Sequence, residues 1–278
     1  DGELFAAYRH LERLERSAAR IGLRLPRDRA GYRQMFADTY AAADFEGDAY
    51  LRLIVTRGVG ELELLPTSCQ APRSILIAKP LPRRGIDPRK EGVPIATVSV
   101  ARMNRRAVDP AIKSGNYLNN VLALMEAREK GAVEAVMVNE AGVLTEGTTS
   151  NLFFVSTEGS TLRLRTPSLS CGLLAGVTRG LVLELAAELQ DELGLAIEEG
   201  SFDPSTLRSA SEVFLTSTTR NVMTVGSIDG VAVGARCADD LGAAPGSAAG
   251  SGARPGAGPW PVTRRLIEAY EYLLGRAG

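Results

Sequence analysis

The stretch DPAIKSGNYLNN, residues 109–120, holds a lysine in a chain that almost always uses arginine. Of 32 basic residues only four are lysines: Lys79, Lys90, Lys113 and Lys130. Lys79 and Lys90 flank a proline-rich stretch, where solvation is expected. Lys130 falls in the last turn of a helix, where a cation complements the helix dipole. Lys113 differs, because no other charge stands between Asp109 and Glu126. The sequence places it at the exit of a buried strand region, just before a helix. Burial lowers an ammonium pKa, which is what a lysine that attacks a carbonyl needs. A snorkelling stem fits the same surroundings.

A second candidate lies in GVLTEGTTSNLFF. Glu146 stands near a strand end and is followed by Gly-Thr-Thr-Ser, a turn rich in hydroxyls and backbone donors. A carboxylate beside such a turn suits a polar ligand, and a solvated edge residue gives the same pattern.

The elements that must carry these groups follow from periodicity. Residues 8–23 put Leu11, Leu14, Ala18 and Ile21 at helical spacing, and residues 30–44 read as a second helix. Residues 49–64 are β-rich, and SILIAKPL at 74–81 reads as a short buried strand. KPLPRRGIDPRKEGVP, with four prolines and clustered charge, reads as a loop between domains. A strand resumes at IATVSVARM. A helix over 116–130 has Leu118, Val121, Leu122 and Met125 on one face and stops at Gly131. Strands follow at EAVMVN, GVLTEG, NLFFVS and TLRLRTP, a helix at 177–193, strands at EVFLTST and NVMTVGSIDGVAV, and a last helix from near Val262. The segment 239–261 is low-complexity and reads as a surface loop. The opening DGELFAAY reads as a turn and strand already in progress, which suggests an incomplete N-terminal domain.

Composition narrows the function classes. A formal net charge of -1 gives no electrostatic support for nucleic-acid binding or an anionic membrane surface. No apolar run is long enough to span a bilayer. The three cysteines, Cys69, Cys171 and Cys237, are scattered and odd in number, so neither a metal spacing nor a disulfide framework is present, and a cytoplasmic home is expected. The single histidine, His10, excludes a His-rich metal site, and excludes a histidine triad unless His10 is its base.

The segment IKSGNYLNNVLALMEAREKGAVEAVMVNEAGVLTEGTTSNLFFV resembles the signature of the class IV pyridoxal-phosphate enzymes: branched-chain aminotransferases, D-amino acid aminotransferases and aminodeoxychorismate lyases. HLERL near the start, GVTRG at 176–180, EVFLTSTT at 212–219 and VTRRLIEAY near the end fall in the family's order. The resemblance therefore covers nearly the whole chain.

It implies a mixed α/β, two-domain fold type IV enzyme. A small N-terminal domain spans residues 1–79, an interdomain loop 80–94 and a large cofactor domain 95–278, with pyridoxal 5'-phosphate between the domains. Lys113 resembles the Schiff-base lysine that forms the internal aldimine and shuttles the proton. Glu146 resembles the partner of the pyridinium nitrogen, and Tyr117 the partner of the phenolic oxygen. Arg13 matches the phosphate arginine. Gly176, Val177 and Thr178 open a helix whose amides suit an anion. Thr218 matches a phosphate-side threonine, and Ser217 and Thr219 border the turn facing the substrate carboxylate. Read without the resemblance, Tyr117 is a core aromatic, Arg13 a surface arginine, Thr178 a helix cap and TSTT a polar turn.

Arg52 falls where branched-chain enzymes carry an arginine, and Leu62 and Leu64 replace the Arg and His of the D-specific trap. The resemblance thus implies a homodimeric transaminase exchanging an amino group between a hydrophobic L-amino acid and 2-oxoglutarate. The alternatives are an aminodeoxychorismate lyase releasing pyruvate and a D-amino acid aminotransferase.

Overall fold

The computed structural model describes residues 3–81, 85–234 and 260–275. Cys237 and residues 239–259 of the low-complexity segment lie outside the described residues. The chain divides into two compact units, Asp1–Arg83 with Ile112–Ser114, and Arg84–Ala111 with Gly115–Gly278. Among the described residues no helix is long and apolar enough to cross a membrane.

In the first unit Phe5 and Ala6 form a turn rather than a strand, and helix α1 runs Ala7–Arg20. Its buried stripe is Ala7, Leu11, Arg13, Ser17 and Ala18. Leu14 is only half-buried and Ile21 is exposed, so the inward face is rotated toward polar residues relative to the expected one. Helix α2, Arg29–Ala41, starts where the Asp28 carboxylate accepts from the Gly31 amide at 2.8 Å, a side-chain cap for orphan N–H groups. Its Tyr32 is buried and shares a 3.1 Å hydrogen bond with Ser74 Oγ. Strand β1, Ala49–Thr56, pairs antiparallel with β2, Arg73–Pro80. The SILIA run is not buried as expected: Ile75 and Ile77 are exposed. This sheet has two strands, and its second face stays uncovered within the unit. The expected β structure stops at Thr56, and Leu62 and Leu64 stand exposed in a loop.

The second unit is built on strands β3 (Val93–Thr97), β4 (Glu134–Val138), β5 (Leu144–Gly147), β6 (Asn151–Glu158), β7 (Thr161–Pro167), β8 (Leu195–Gly200), β9 (Glu212–Ser217), β10 (Asn221–Ile228) and β11 (Val231–Ala232). Pairing runs β10–β3–β4–β5–β6, and β9 bridges β6 back to β10, so the ladder closes on itself. The alternation of side chains along each strand fills the interior with Val93, Ile95, Val136, Leu144, Leu152, Phe154, Val213, Leu215 and Val225. Strand β8, which the sequence reading passes over, extends the sheet parallel to β7.

Helix α3, Leu118–Glu129, lies within the expected 116–130 span, and its row of large apolar residues faces outward. Leu118, Val121, Leu122 and Met125 are exposed, and the buried face is Ala123 and Ala127. These alanines pack on Ala96, Ala132, Ala135 and Met137. Small residues on both surfaces let the helix lie close to the sheet, which turns its larger side chains outward. The expected helix 177–193 is two: α4, Val177–Glu188, and α5, Gln190–Leu193. A short α6, Ser205–Arg208, precedes β9, and α7 spans Pro261–Leu273. The first amides of α7 are received by the buried Glu212 carboxylate, from Val262 N at 3.0 Å and Thr263 N at 2.7 Å.

Candidate active site

The β5 strand determines where Glu146 points. Val136 faces Gly147 across the ladder, and Val138 faces Leu144, so β5 carries one extra residue opposite Met137. Such a bulge breaks the alternation. Leu144 and Gly147 both face the barrel interior, and Glu146 is turned to the outer face. Glu146 then pairs across with Asn151, and Asn151 with Thr216 of β9, so the three form a row on that face.

Glu146 is only 5% exposed and has defined partners. Arg102 Nη2 lies 2.9 Å from Oε1. Asn151 Nδ2 donates to Oε2 at 3.2 Å, and the Leu174 amide donates to Oε2 at 3.1 Å. The same Asn151 amide donates to Leu174 O at 3.0 Å, tying β6 to the segment that leads into α4. Gly176 N-caps α4 and fits closely against this asparagine: a Cβ there would lie 2.0 Å from Asn151 Oδ1. Val177 and Thr178 begin the helix and are both buried. The helix has no side-chain cap, so Thr178 does not cap it.

Tyr117 is the half-buried N-cap residue of α3. The start of that helix is laced to its surroundings. Asn119 Oδ1 accepts from Arg102 Nη1 at 3.3 Å and from the Met103 amide at 3.2 Å, and Asn120 Nδ2 donates to Thr148 O at 2.7 Å. Ser217, Thr218 and Thr219 enter the β9–β10 turn, where Ser217 Oγ accepts from the Arg220 amide at 3.2 Å. Thr218 is exposed, and Ser217 and Thr219 are half-buried.

In the first unit, α1 gathers a different group. Arg13, 8% exposed, donates from Nη2 to His10 Nδ1 at 3.3 Å. Ser17 Oγ accepts from the Lys113 amide at 3.1 Å. Burial, with the Arg13 and Lys113 charges, holds the His10 pKa down to about 4. Lys113 itself is exposed. The expectation of a lysine desolvated at a strand exit is corrected: β3 ends at Thr97, and the chain from Ser99 to Tyr117 is irregular. Arg52 makes none of these bonds and stands exposed on β1 opposite Ile77. The other lysines behave as expected. Lys79 is exposed, Lys90 pairs loosely with Asp87 at 3.9 Å, and Lys130 binds Glu126 at 2.9 Å.

Sequence reasoning missed Arg102, Asn151 and Thr216. Asn151 could have been found as the residue that follows the hydroxyl turn and re-enters a strand. Arg102 is hidden by the chain's arginine bias.

An anionic, nitrogen-containing ring suits the outer face of the second unit. The N-terminus of α4 has no side-chain cap, and Thr216 Oγ1 and Arg102 Nε are buried without hydrogen-bond partners among the described residues. A buried carboxylate stands in the same row as Thr216. Acceptor, donors and uncapped amides therefore fit a phosphorylated pyridine.

Residues 1–228 match the family model described as amino-transferase class IV. A protein of Methanocaldococcus jannaschii named "Putative branched-chain-amino-acid aminotransferase" is 35% identical over 230 residues, 83% of this chain and 76% of that protein. The D-alanine aminotransferase of Bacillus licheniformis is 33% identical over 237 residues, 84% of this chain and 77% of that protein. Among solved structures, the branched-chain amino acid aminotransferase of Thermobaculum terrenum in its pyridoxal-phosphate form superposes with a TM-score of 0.76 at 27% identity, covering 98% of this chain and 79% of that chain.

Proposed function

The chain belongs to the class IV aminotransferase family, a pyridoxal-phosphate-dependent enzyme, and on that premise we propose that it moves an amino group between a hydrophobic, branched-chain L-amino acid and 2-oxoglutarate. The observation that carries this reading is Glu146, turned outward by the β5 bulge and held at 2.9 Å by Arg102.

When bound, pyridoxal phosphate supplies an electron sink for the negative charge left at an amino acid Cα. The protein's own residues do the rest. Lys113 Nζ would hold the cofactor covalently and, once the substrate amine has displaced it, would move the proton between substrate Cα and the cofactor's C4′. Glu146 receives the ring N–H, and Tyr117 hydrogen-bonds the phenolic oxygen. Arg13, the amides of Val177 and Thr178, and Thr218 receive the phosphate, and Ser217 and Thr219 meet the substrate carboxylate. His10, uncharged at neutral pH, orients Arg13 through the 3.3 Å contact. Arg52 selects the substrate from β1.

Two further features go with this reading. Helix α3 presents Leu118, Val121, Leu122 and Met125 to solvent, an apolar face that a second copy of the chain in a homodimer would cover. The scattered cysteines, with Cys69 and Cys171 free, suit a cytoplasmic home.

The 33% identity to a D-alanine aminotransferase favours D-amino acids as the second reading. The test is glutamate formation from 2-oxoglutarate with L-leucine, L-isoleucine, L-valine and D-alanine as donors, with pyruvate release from aminodeoxychorismate as a control. Activity confined to D-alanine, or to pyruvate release, would sink the branched-chain assignment. Borohydride reduction and peptide mapping should place a pyridoxyl group on Lys113, and an adduct elsewhere would refute the role given to that residue.

A further inference from the structure

A second buried carboxylate lies behind the turns that carry the proposed contacts. Glu134 opens β4, faces the barrel interior and is fully shielded from solvent. Its Oε1 accepts from the amides of Ala135 at 3.1 Å and Thr148 at 2.9 Å, and from the Thr148 hydroxyl. Its Oε2 accepts from the hydroxyls of Thr149 at 3.0 Å and Ser150 at 3.3 Å, and from Arg220 Nη1 at 2.9 Å.

Two turns therefore end on one side chain. Residues 148–150 follow Glu146, and Arg220 closes the turn that begins at Ser217. Ser, Thr and Asn residues in short turns have competing local hydrogen-bond choices, so such a turn alone samples several shapes. An ionised carboxylate accepts and never donates, which leaves each surrounding donor one way to point. The space is also tight. A Cβ on Gly147 would lie 2.4 Å from Ser150 Oγ and 3.2 Å from Glu134 Cγ. The next residue after Arg220, Asn221, is locked at φ 54.

We infer that Glu134 and Arg220 are positioning residues, whose ion pair, buried at its Glu134 end, fixes the 217–220 turn in register with the 147–150 turn and so presets Ser217 and Thr219 for the substrate carboxylate. This rests on the function proposed above. Neither residue touches reacting atoms. Ordering the turn in advance removes an entropy cost from substrate binding, so the pair acts on KM for both the amino acid and the oxo acid more than on kcat.

The experiment uses Arg220→Met and Arg220→Lys in the holoenzyme, since Arg220 is partly exposed and its replacement spares the core. Arg220→Met is expected to raise both KM values by about tenfold with kcat within about threefold, and Arg220→Lys, which keeps the charge, to recover most of that loss. Hydrogen exchange on the cofactor-free protein gives the readout independent of activity. Peptides covering 147–151 and 217–221 should lose protection together in Arg220→Met. The inference is overturned if only the 217–221 peptides respond, if both KM values stay at wild-type levels, or if lysine rescues nothing. A wild-type protein that transfers no amino group overturns the proposed function instead, while the coupled exchange of the two turns is still read without substrate.

Discussion

Arg102 Nη2 and Glu146 Oε1 lie 2.9 Å apart, with side chains only 11% and 7% exposed. Removing one partner of a buried ion pair strands the other charge, at a cost of about 3 kcal/mol or more. Arg102→Met is therefore expected to lower apparent stability by roughly 3 kcal/mol in urea unfolding. Arg102→Met with Glu146→Gln should recover part of this. If the double variant is no more stable than the single one, the pair is not the source of the loss.

Gly176→Ala tests the seat of α4. The added methyl would meet Asn151 Oδ1 at 2.0 Å, and Asn151 in turn donates to Glu146 at 3.2 Å. Overpacking of this kind costs about 1–3 kcal/mol. The expected result is a lower melting temperature together with pyridoxal-phosphate affinity weakened by about tenfold, measured by titration of cofactor absorbance. Unchanged affinity would show that Asn151 does not transmit the displacement.

His10 gives a pH signature. Its folded pKa is held to about 4, below an ordinary value of 6.5, chiefly by burial and also by Arg13 and Lys113. Between these values the unfolded chain binds the extra proton and the folded chain does not. The stability from neutral His10 is thus complete above about pH 6.5 and is lost as pH falls toward 4, on the order of 3 kcal/mol in all. His10→Asn keeps an acceptor for Arg13 and cannot titrate. Unfolding midpoints at pH 7 and pH 4.5 should diverge less in that variant than in the wild type, and equal slopes would count against the assignment.

Glu212 anchors α7 through Val262 N and Thr263 N. Its carboxyl pKa is pushed up by burial, against the lowering effect of those donors. Glu212→Ala should cost about 2 kcal/mol, through the lost acceptor for buried helix amides. Glu212→Gln keeps an acceptor and should stay within about 1 kcal/mol of wild type. Thermal unfolding of both variants decides the matter: equal losses would mean that the charge, not the hydrogen bonding, holds the helix.

The order of strands and helices was largely legible because most elements of the second unit are long apolar runs bounded by glycine or polar turns. What periodicity could not supply was direction. Helix α3 has two apolar faces, one of leucine-like residues and one of alanine, and the sheet takes the alanines because they allow a closer approach. SILIA reads as buried because its residues are apolar, yet a two-stranded sheet leaves it a bare face. Lys113 stands out in the sequence by its isolation from other charge, but its exposure depends on the irregular path after Thr97. Arg102 and Glu134 act through partners far away in sequence, and no local pattern marks them, whereas Asn151 is marked only by its place after the hydroxyl turn.

The extra residue in β5 makes this strand sensitive to length more than to identity. Exchanging Val143 or Thr145 for a residue of similar bulk leaves the strand in phase. Deleting Thr145 would remove the bulge, seat the acid at 146 directly opposite Met137, abolish the Thr145 hydroxyl bond to Met137 O, and shift one flank of the strand by a residue against β4. Single-codon deletions here should therefore be far more damaging than missense changes at the same positions.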